Sequence, residues 1–374
     1  MIRTALRFIL FDKAKSIGAL AGTIMSVFLI GQQSGIFIFL IGAMSSLVRN
    51  NPDYVWVVDD KTTNVNALAE LDIRIGNELQ SISGVDNVYP LVITPAAAKF
   101  QNGKSAGITL IGVKVPGYAG GPWDLFVGKK EDILQNEAII TDYFDKGSLG
   151  DVELGQYFEV NGKQVFDAAQ TKGIRAFGGG VYTFTTIERA RYLANMALDK
   201  TSAFLVTLKN KSEEQAVIDR INKSVYGVHA WNANAFTTAT ILTVLKTSGI
   251  AISFGTLIFF ALIVGFVIIG LTLYSSVIDR IKDYGTLKAI GADNNYIRKL
   301  IITQALIISF VGYLIGTLVT EGFRFGVAQA GAIFNYPVWL RFVFFFATMF
   351  IALFGSVFAV RRITQLEPAQ VFRG

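Results

Sequence analysis

Cysteine is absent from the 374 residues, and histidine occurs once. Without cysteine there is no disulfide framework and no thiolate-ligated metal site. Any domain outside the cytoplasm must therefore stand on its apolar core, which a region of about 200 residues can supply. His229, in the run Gly-Val-His-Ala-Trp, has no second ligand or nucleophile at motif spacing and reads as structural. A nucleotide-binding loop G-x-x-x-x-G-K-[ST] is also missing. Gly103-Lys104-Ser105 supplies its last letters, but Ala98 stands where the first glycine is required, and Asn102-Gly103 reads better as a hairpin turn. Gly178-Gly179-Gly180 fits no phosphate fingerprint. Carboxylates are scattered; Glu131-Asp132 follows Lys129-Lys130 as a solvated surface would, and no glycosidase-type pair stands out. Charge itself is scarce, at 17% of residues against roughly 25% in soluble proteins.

Apolar residues make up 52% of the chain, 30 of them Phe, and the mean hydropathy is +0.46. Four runs are long enough to cross a bilayer, which takes about 20 residues: Ile17–Leu40 (continuing as helix toward Leu47), Gly249–Tyr274, Leu300–Thr320 and Val338–Val360. The first is too long for a signal-peptide core and no A-x-A site follows it, so it reads as an anchor. Lys and Arg cluster before the first run (Arg3, Arg7, Lys13, Lys15), after the second (Arg280, Lys282, Lys288, Arg298, Lys299) and after the fourth (Arg361, Arg362, Arg373). Only Arg324 and Arg341 lie near the connection between the third and fourth, which contains Gly331, Asn335 and Pro337. The positive-inside rule then predicts cytoplasmic termini and an outside region from 48 to 236. The net charge of +6 follows from this placement, and nucleic-acid binding is not needed to explain it.

The expected organisation is a four-span α-helical membrane bundle with a large α+β extracytoplasmic domain between spans one and two. Residues 1–16 read as a cytoplasmic amphipathic helix, with Ile2, Leu6, Ile9 and Leu10 on one face. Span one and its stalk cover 17–47, the outside α/β domain 48–236, and a stalk with span two 237–274. A cytoplasmic loop follows at 275–299, span three at 300–320, a short outside loop at 321–337, span four at 338–360 and a tail at 361–374. Within the outside domain, residues 54–58, 88–93, 106–113, 137–141, 157–160 and 204–208 read as strands. Residues 67–83, 186–197 and 212–224 read as helices, with Thr186 an N-cap and Ser212/Gln215 a capping box. Asn161-Gly162 marks a hairpin. Interleaving suggests two small α/β lobes, and Phe236–Thr247 a helical stalk.

Polar residues inside spans are costly and so informative: Gln32 and Gln33 in span one, Gln304 in span three, and Glu321 with Arg324 three residues on, placed to pair. Glycines recur four apart at Gly18/Gly22, Gly31/Gly35 and Gly312/Gly316, a spacing that lets helices approach closely. Gly31, Gln32, Gln33, Gly35, Gly312 and Gly316 are candidates for a dimer seam or substrate vestibule; ordinary packing within one subunit is the alternative.

The most informative stretch is Ser275–Lys299, SSVIDRIKDYGTLKAIGADNNYIRK. It reads as a charged helix end, a break at Gly285, a compact Leu287–Ile290 turn and a second break at Gly291, the outline of a docking knuckle. Arg280, Asp283, Gly285, Leu287, Lys288, Ala289, Ile290, Gly291 and Ala292 fill a pattern R-x-x-E-x-G-x-L-K/R-A-I/L-G-A, with Asp283 in place of Glu. Arg361-Arg362, Glu367-Pro368-Ala369 and Phe372-Arg373 near the C-terminal end, and more weakly Gly84-Val85 with Pro90, Ile111-Gly112-Val113 and Gly155 before Val160-Asn161-Gly162, add to it. In these residues the chain resembles the permease subunits of the MacB, LolC/LolE, FtsX and DevC group of ABC transporters, and its TLKAIGA wording is most similar to DevC. Gln304 departs from the Glu of many relatives.

The resemblance implies a non-catalytic subunit of the bacterial inner membrane that binds no cofactor itself, with ATP and Mg held by a separate cytoplasmic ATPase. It also implies a permease homodimer (LolC and LolE pair unlike chains), a periplasmic adaptor of the membrane-fusion type, and membrane lipid as partner or cargo. The knuckle would carry the ATPase's motion, with Arg280 and Lys288 meeting acidic groups and Leu287 and Ile290 seated in a groove. Export of a lipid, lipoprotein or amphipathic compound is the leading expectation. An FtsX-like regulator of a cell-wall hydrolase shares every feature, and an ATP-independent sensor or anchor is a third reading.

Overall fold

The computed structural model describes residues 1–11, 13–329 and 336–364. Gly331, Asn335, Glu367-Pro368-Ala369 and Phe372-Arg373, singled out above, lie outside that set. The described residues divide into a membrane unit (within 1–39, 250–329 and 336–364) and a second unit (residues 40–249).

The chain opens with α1 (Ile2–Phe11), α2 (Lys13–Met44) and the short α3 (Ser46–Arg49). The second unit then runs through β1 (Val55–Asp59), β2 (Leu71–Asp72), α4 (Ile75–Ser81), β3 (Val85–Lys99), β4 (Ser105–Val113), β5 (Leu125–Val127), β6 (Ala138–Asp142), β7 (Tyr157–Val160), β8 (Lys163–Thr171), β9 (Val181–Thr186) and α5 (Ile187–Ala194). It finishes with β10 (Lys200–Thr201), β11 (Ala203–Leu208), α6 (Glu214–Ser224), β12 (Val228–Trp231) and α7 (Ala233–Ser248). Returning to the membrane unit are α8 (Ile250–Asp279), α9 (Ile281–Ala289), α10 (Asn294–Gln329) and α11 (Val338–Thr364). Four of these helices, α2, α8, α10 and α11, are long and apolar enough to cross a membrane, and the α+β domain lies between the first and second of them.

One sheet organises the second unit, in the order β12-β1-β11-β3-β4-β9-β6-β8-β5, with β7 bridging β3 and β8. The pairs β4/β9 and β6/β8 are parallel and the other neighbours antiparallel. The near-continuous apolar run of β1 has its reason in double-sided burial. Val55 and Val57 join Leu79, Val217 and Ile221 beneath α4 and α6, while Trp56 and Val58 face Leu91, Leu205 and Phe236 beneath α7. Asn161 and Gly162 adopt φ of 49° and 75° and turn β7 into β8, as their types require. Thr186 caps α5, its hydroxyl accepting from the Arg189 amide at 3.4 Å.

Three expectations fail for local reasons. Residues 67–83 do not form one helix: Leu71–Asp72 pair with Lys200–Thr201, and the Asp72 carboxylate accepts from the Arg74 amide at 2.8 Å and its guanidinium, so the chain turns before α4 starts. Ser212 and Gln215 form no capping box. Asn210 accepts from the Ser212 amide at 3.1 Å and opens a 3-10 turn ahead of α6. The two lobes are one unit, because long β3 pairs with β11 at one end and β4 along most of its length.

In the membrane unit the small residues are contact points. A Cβ on Gly312 would meet Thr23 at 2.6 Å, on Gly316 Val27 at 2.8 Å, and on Gly31 Thr320 at 2.7 Å; α2 and α10 thus pack backbone to side chain. Gly270 and Gly355 face each other between α8 and α11. The Ser26 hydroxyl donates to the Ala261 carbonyl at 2.9 Å, tying α2 to α8. Glu321 and Arg324 pair as expected, and Arg341 of α11 joins them at 3.0 Å.

Candidate functional site: the knuckle between α8 and α10

Arg280 leaves the helical region (φ −102°, ψ 20°) and separates α8 from α9. The break expected at Gly285 is not there: Gly285 is buried within α9, and the chain bends five residues earlier, at Arg280. The second break falls at Gly291 as its residue type demands. Its φ is +101°, its amide donates to the Lys288 carbonyl at 3.1 Å, and the Ala292 amide donates to the Leu287 carbonyl at 2.9 Å. That is a Schellman ending, which needs a left-handed residue at the glycine position. Asp293 then caps α10, accepting from the Tyr296 amide at 2.7 Å. Leu-Lys-Ala-Ile-Gly-Ala-Asp therefore encodes a helix stop and a helix start with one half-buried residue, Ala292, between them.

Two faces of α9 differ. Inward, Tyr284 is 2% exposed, packs on Phe8 (5.4 Å between ring centres) and accepts from the Gln304 amide of α10 at 3.4 Å. Burial pushes its phenol pKa up, so the ring stays neutral. Leu287 is half-buried beside it. The Lys288 ammonium donates to the carbonyls of Ile363 and Thr364 at 3.0 and 3.4 Å, at the end of α11, where a helix leaves carbonyls unpaired and welcomes a cation. Desolvation lowers its pKa. The Arg280 guanidinium is buried over the rings of Phe8 and Phe11, 4.9 and 4.7 Å from their centres. Outward, Lys282, Asp283, Thr286, Ala289, Ile290 and Gly291 are exposed, and Ile290 shows 77% of its surface.

The nine residues expected at the knuckle thus divide. Asp283, Ala289, Ile290 and Gly291 form its outer edge, Arg280, Gly285, Leu287 and Lys288 are used inside the chain, and Ala292 is half-buried between α9 and α10. Arg280 and Lys288, expected to meet acidic groups of a partner, both make contacts within the chain: Arg280 lies over Phe8 and Phe11, and Lys288 donates to the end of α11. Tyr284, Phe8 and Phe11 were missed. Tyr284 and Leu287 have the three-residue spacing of one helix face, a signal the polar reading of the loop overlooked. Of the span candidates, Gly31, Gly312 and Gly316 stand against Thr320, Thr23 and Val27 of the same chain. Gln32 and Gln33 are half-buried, and Gly35 is buried. Among the described residues, no three His, Cys, Asp or Glu side chains stand close enough to hold a metal ion.

The described chain thus carries four bilayer-length helices, an α+β domain between the first two and the short helix α9 between the second and third. Residues 255–368, about 30% of the chain, match the FtsX-like permease C-terminal family. Uncharacterized ABC transporter permeases of two Mycobacterium tuberculosis strains, Oshkosh and H37Rv, are each 32% identical over 117 residues, 30% of this chain and 31% of theirs. The chain's match thus spans about a third of these curated relatives. Among solved structures, the extracellular domain of the noncanonic ABC-type transporter YknZ from Gram-positive bacteria is similar at 15% identity and a TM-score of 0.35, over 48% of this chain and all of that one. The periplasmic region of MacB from Actinobacillus actinomycetemcomitans is similar at 13% identity and a TM-score of 0.37, over 53% and 94%.

Proposed function

We propose that this chain is the permease subunit of an ABC exporter in a bacterial inner membrane, with both termini cytoplasmic, moved by a separate cytoplasmic ATPase that holds the ATP and Mg. The observation that carries the reading is the construction of α9. A helix stopped and restarted within three residues presents an exposed edge, Lys282, Asp283, Thr286, Ala289 and Ile290, while Tyr284, Leu287, Lys288 and Arg280 tie its other side to α1, α10 and α11. A push on the edge is passed to the spans because the inner contacts are close-packed and have little room to yield. No residue in this path does chemistry; the work is mechanical. A homodimer, a periplasmic adaptor and an amphipathic or lipid cargo complete the proposal. They rest on resemblance alone.

The test is Ile290→Asp. Ile290 is exposed, so the change leaves the packing of the chain intact, and a charge replaces the one large apolar group on the edge. ATPase co-purification and stimulated ATP hydrolysis are both expected to fall at least tenfold, with an unchanged thermal unfolding midpoint. Association and stimulation at the unmodified level would refute the knuckle as the ATPase contact.

A further inference from the structure

Helix α1 has two kinds of surface. Ala5 is fully buried, and Phe8 and Ile9 are half-buried against the membrane unit. Around the helix from them, Ile2, Leu6 and Leu10 form a stripe that is 64%, 39% and 65% exposed. Arg3 and Arg7 flank this stripe, exposed and without an ion pair among the described residues. The helix contains no Asp or Glu. Its aromatic edge holds Arg280, whose guanidinium lies over Phe8 and Phe11, with one buried terminal nitrogen that has no hydrogen-bond partner among the described residues. A second tie lies beside it: Lys15 pairs with Asp279, the last residue of α8, and donates to the Ser275 carbonyl at 3.1 Å.

We propose that α1 is a lipid-seated clamp on the knuckle: the Ile2/Leu6/Leu10 stripe with Arg3 and Arg7 lies on an anionic membrane surface, and Phe8 and Phe11 hold Arg280 so that α9 keeps its position. The occupant follows from chain continuity and charge. Helix α2, which is of bilayer length, begins at Lys13, so the end of α1 is within a few ångströms of a membrane span. An apolar stripe with arginines along one side suits the boundary between headgroups and acyl chains, where each cation gains from anionic lipid. Arg280 is accordingly a positioning residue. Its planar guanidinium lies over two rings, and a lysine would keep the charge while losing the stacking. The effect on ATP hydrolysis rests on the reading of α9 as the ATPase contact; the seating of α1 does not.

The absence of native cysteine makes single-site labelling clean. The full chain with Leu6→Cys carrying a nitroxide is placed in nanodiscs of phosphatidylcholine, with or without phosphatidylglycerol, and no ATPase. With phosphatidylglycerol, collision with oxygen is expected to exceed collision with a water-soluble nickel chelate several-fold, and Arg3→Gln with Arg7→Gln should reverse that preference. A nitroxide at Thr286→Cys reports α9. Its spectrum should sharpen in Phe8→Ala/Phe11→Ala and in Arg280→Lys, and also in unmodified α1 when the anionic lipid is left out. With ATPase added, the unmodified chain should show several-fold more stimulation in anionic than in neutral discs, a ratio that falls to one in Arg280→Lys while the ATPase stays bound.

An aqueous Leu6 label in both lipids overturns the lipid seat, as does a label that becomes shielded only when ATPase is added. A Thr286 spectrum indifferent to all three changes overturns the clamp. Failure of the unmodified chain to bind ATPase tells against the α9 reading alone, since both label readings are taken without it.

Discussion

Lys288 and Asp167 show how the surroundings of one side chain decide its use. Lys288 has the charge and the motif position of a partner-facing residue, yet its ammonium donates to the Ile363 and Thr364 carbonyls in the last turn of α11. Asp167 is fully buried in β8, accepting from the Thr141 amide at 3.2 Å and the Gln170 side chain at 2.7 Å. Burial pushes its carboxyl up to about 6 from an ordinary 3.8, against the opposing pull of those hydrogen bonds. A carboxyl whose folded pKa is raised binds more protons in the native state than in the unfolded one between these values. Its ionisation therefore destabilises the fold progressively from about pH 4 to about pH 6, and the full penalty of about 3 kcal/mol persists above that. Asp167→Asn, with the Gln170 amide reversed to accept, is expected to be more stable than the unmodified protein at pH 8 and equal to it near pH 4. Denaturant unfolding across that range checks this; equal stability at pH 8 would contradict it. Asp145, also buried and raised to about 6, is paired with Arg175, so its substitution would remove an ion pair as well.

Elements form where local signals agree with what packs on them. The knuckle was legible at its far end because Gly291 and Asp293 are end-signals whose chemistry is local. Its near end was not, because Arg280 is set by two rings on α1, which no neighbour in sequence announces. The same holds for the segment at 67–83, where a helical spacing of leucines lost to the pairing of β2 with β10. Membrane helices give a cleaner test of contact. Gly312→Ala places a methyl 2.6 Å from Thr23. Relief requires α2 and α10 to part, an overpacking cost of about 1–3 kcal/mol. Gly18→Ala, four residues before Gly22, meets nothing within 4 Å and gains up to about 1 kcal/mol of helix propensity. Thermal unfolding in detergent should show a lower midpoint for the first and an equal or higher one for the second. Equal midpoints for both would mean that the α2–α10 contact carries no stability.

For the whole molecule, the proposal makes orientation the quantity to measure. Basic residues cluster beside α1, α9 and the end of α11, and the soluble unit is inserted between α2 and α8, so the knuckle and that unit are expected on opposite sides. Tyr226 in the soluble unit is 97% exposed, and Ile290 on the knuckle 77%. In intact cells a membrane-impermeant maleimide is expected to label Tyr226→Cys, and to reach Ile290→Cys only after permeabilisation. Labelling of both positions before permeabilisation, or the reverse order, would overturn the topology.

Span number, the place of the soluble insert, most of its strands and the outline of the knuckle follow from the sequence by itself. They depend on hydropathy over about 20 residues, period-two alternation and the backbone preferences of Gly, Asn and Asp, all of which act locally. Tertiary structure alone decided that the soluble unit is built on one continuous sheet, that Gly31, Gly312 and Gly316 stand against Thr320, Thr23 and Val27 of the same chain, and that Arg280 and Lys288 face inward while Ile290 faces out. Those outcomes depend on which distant side chain or carbonyl reaches a group first, at separations of 260 residues for Lys15 with Ser275 and 305 for Tyr336 with Gly31.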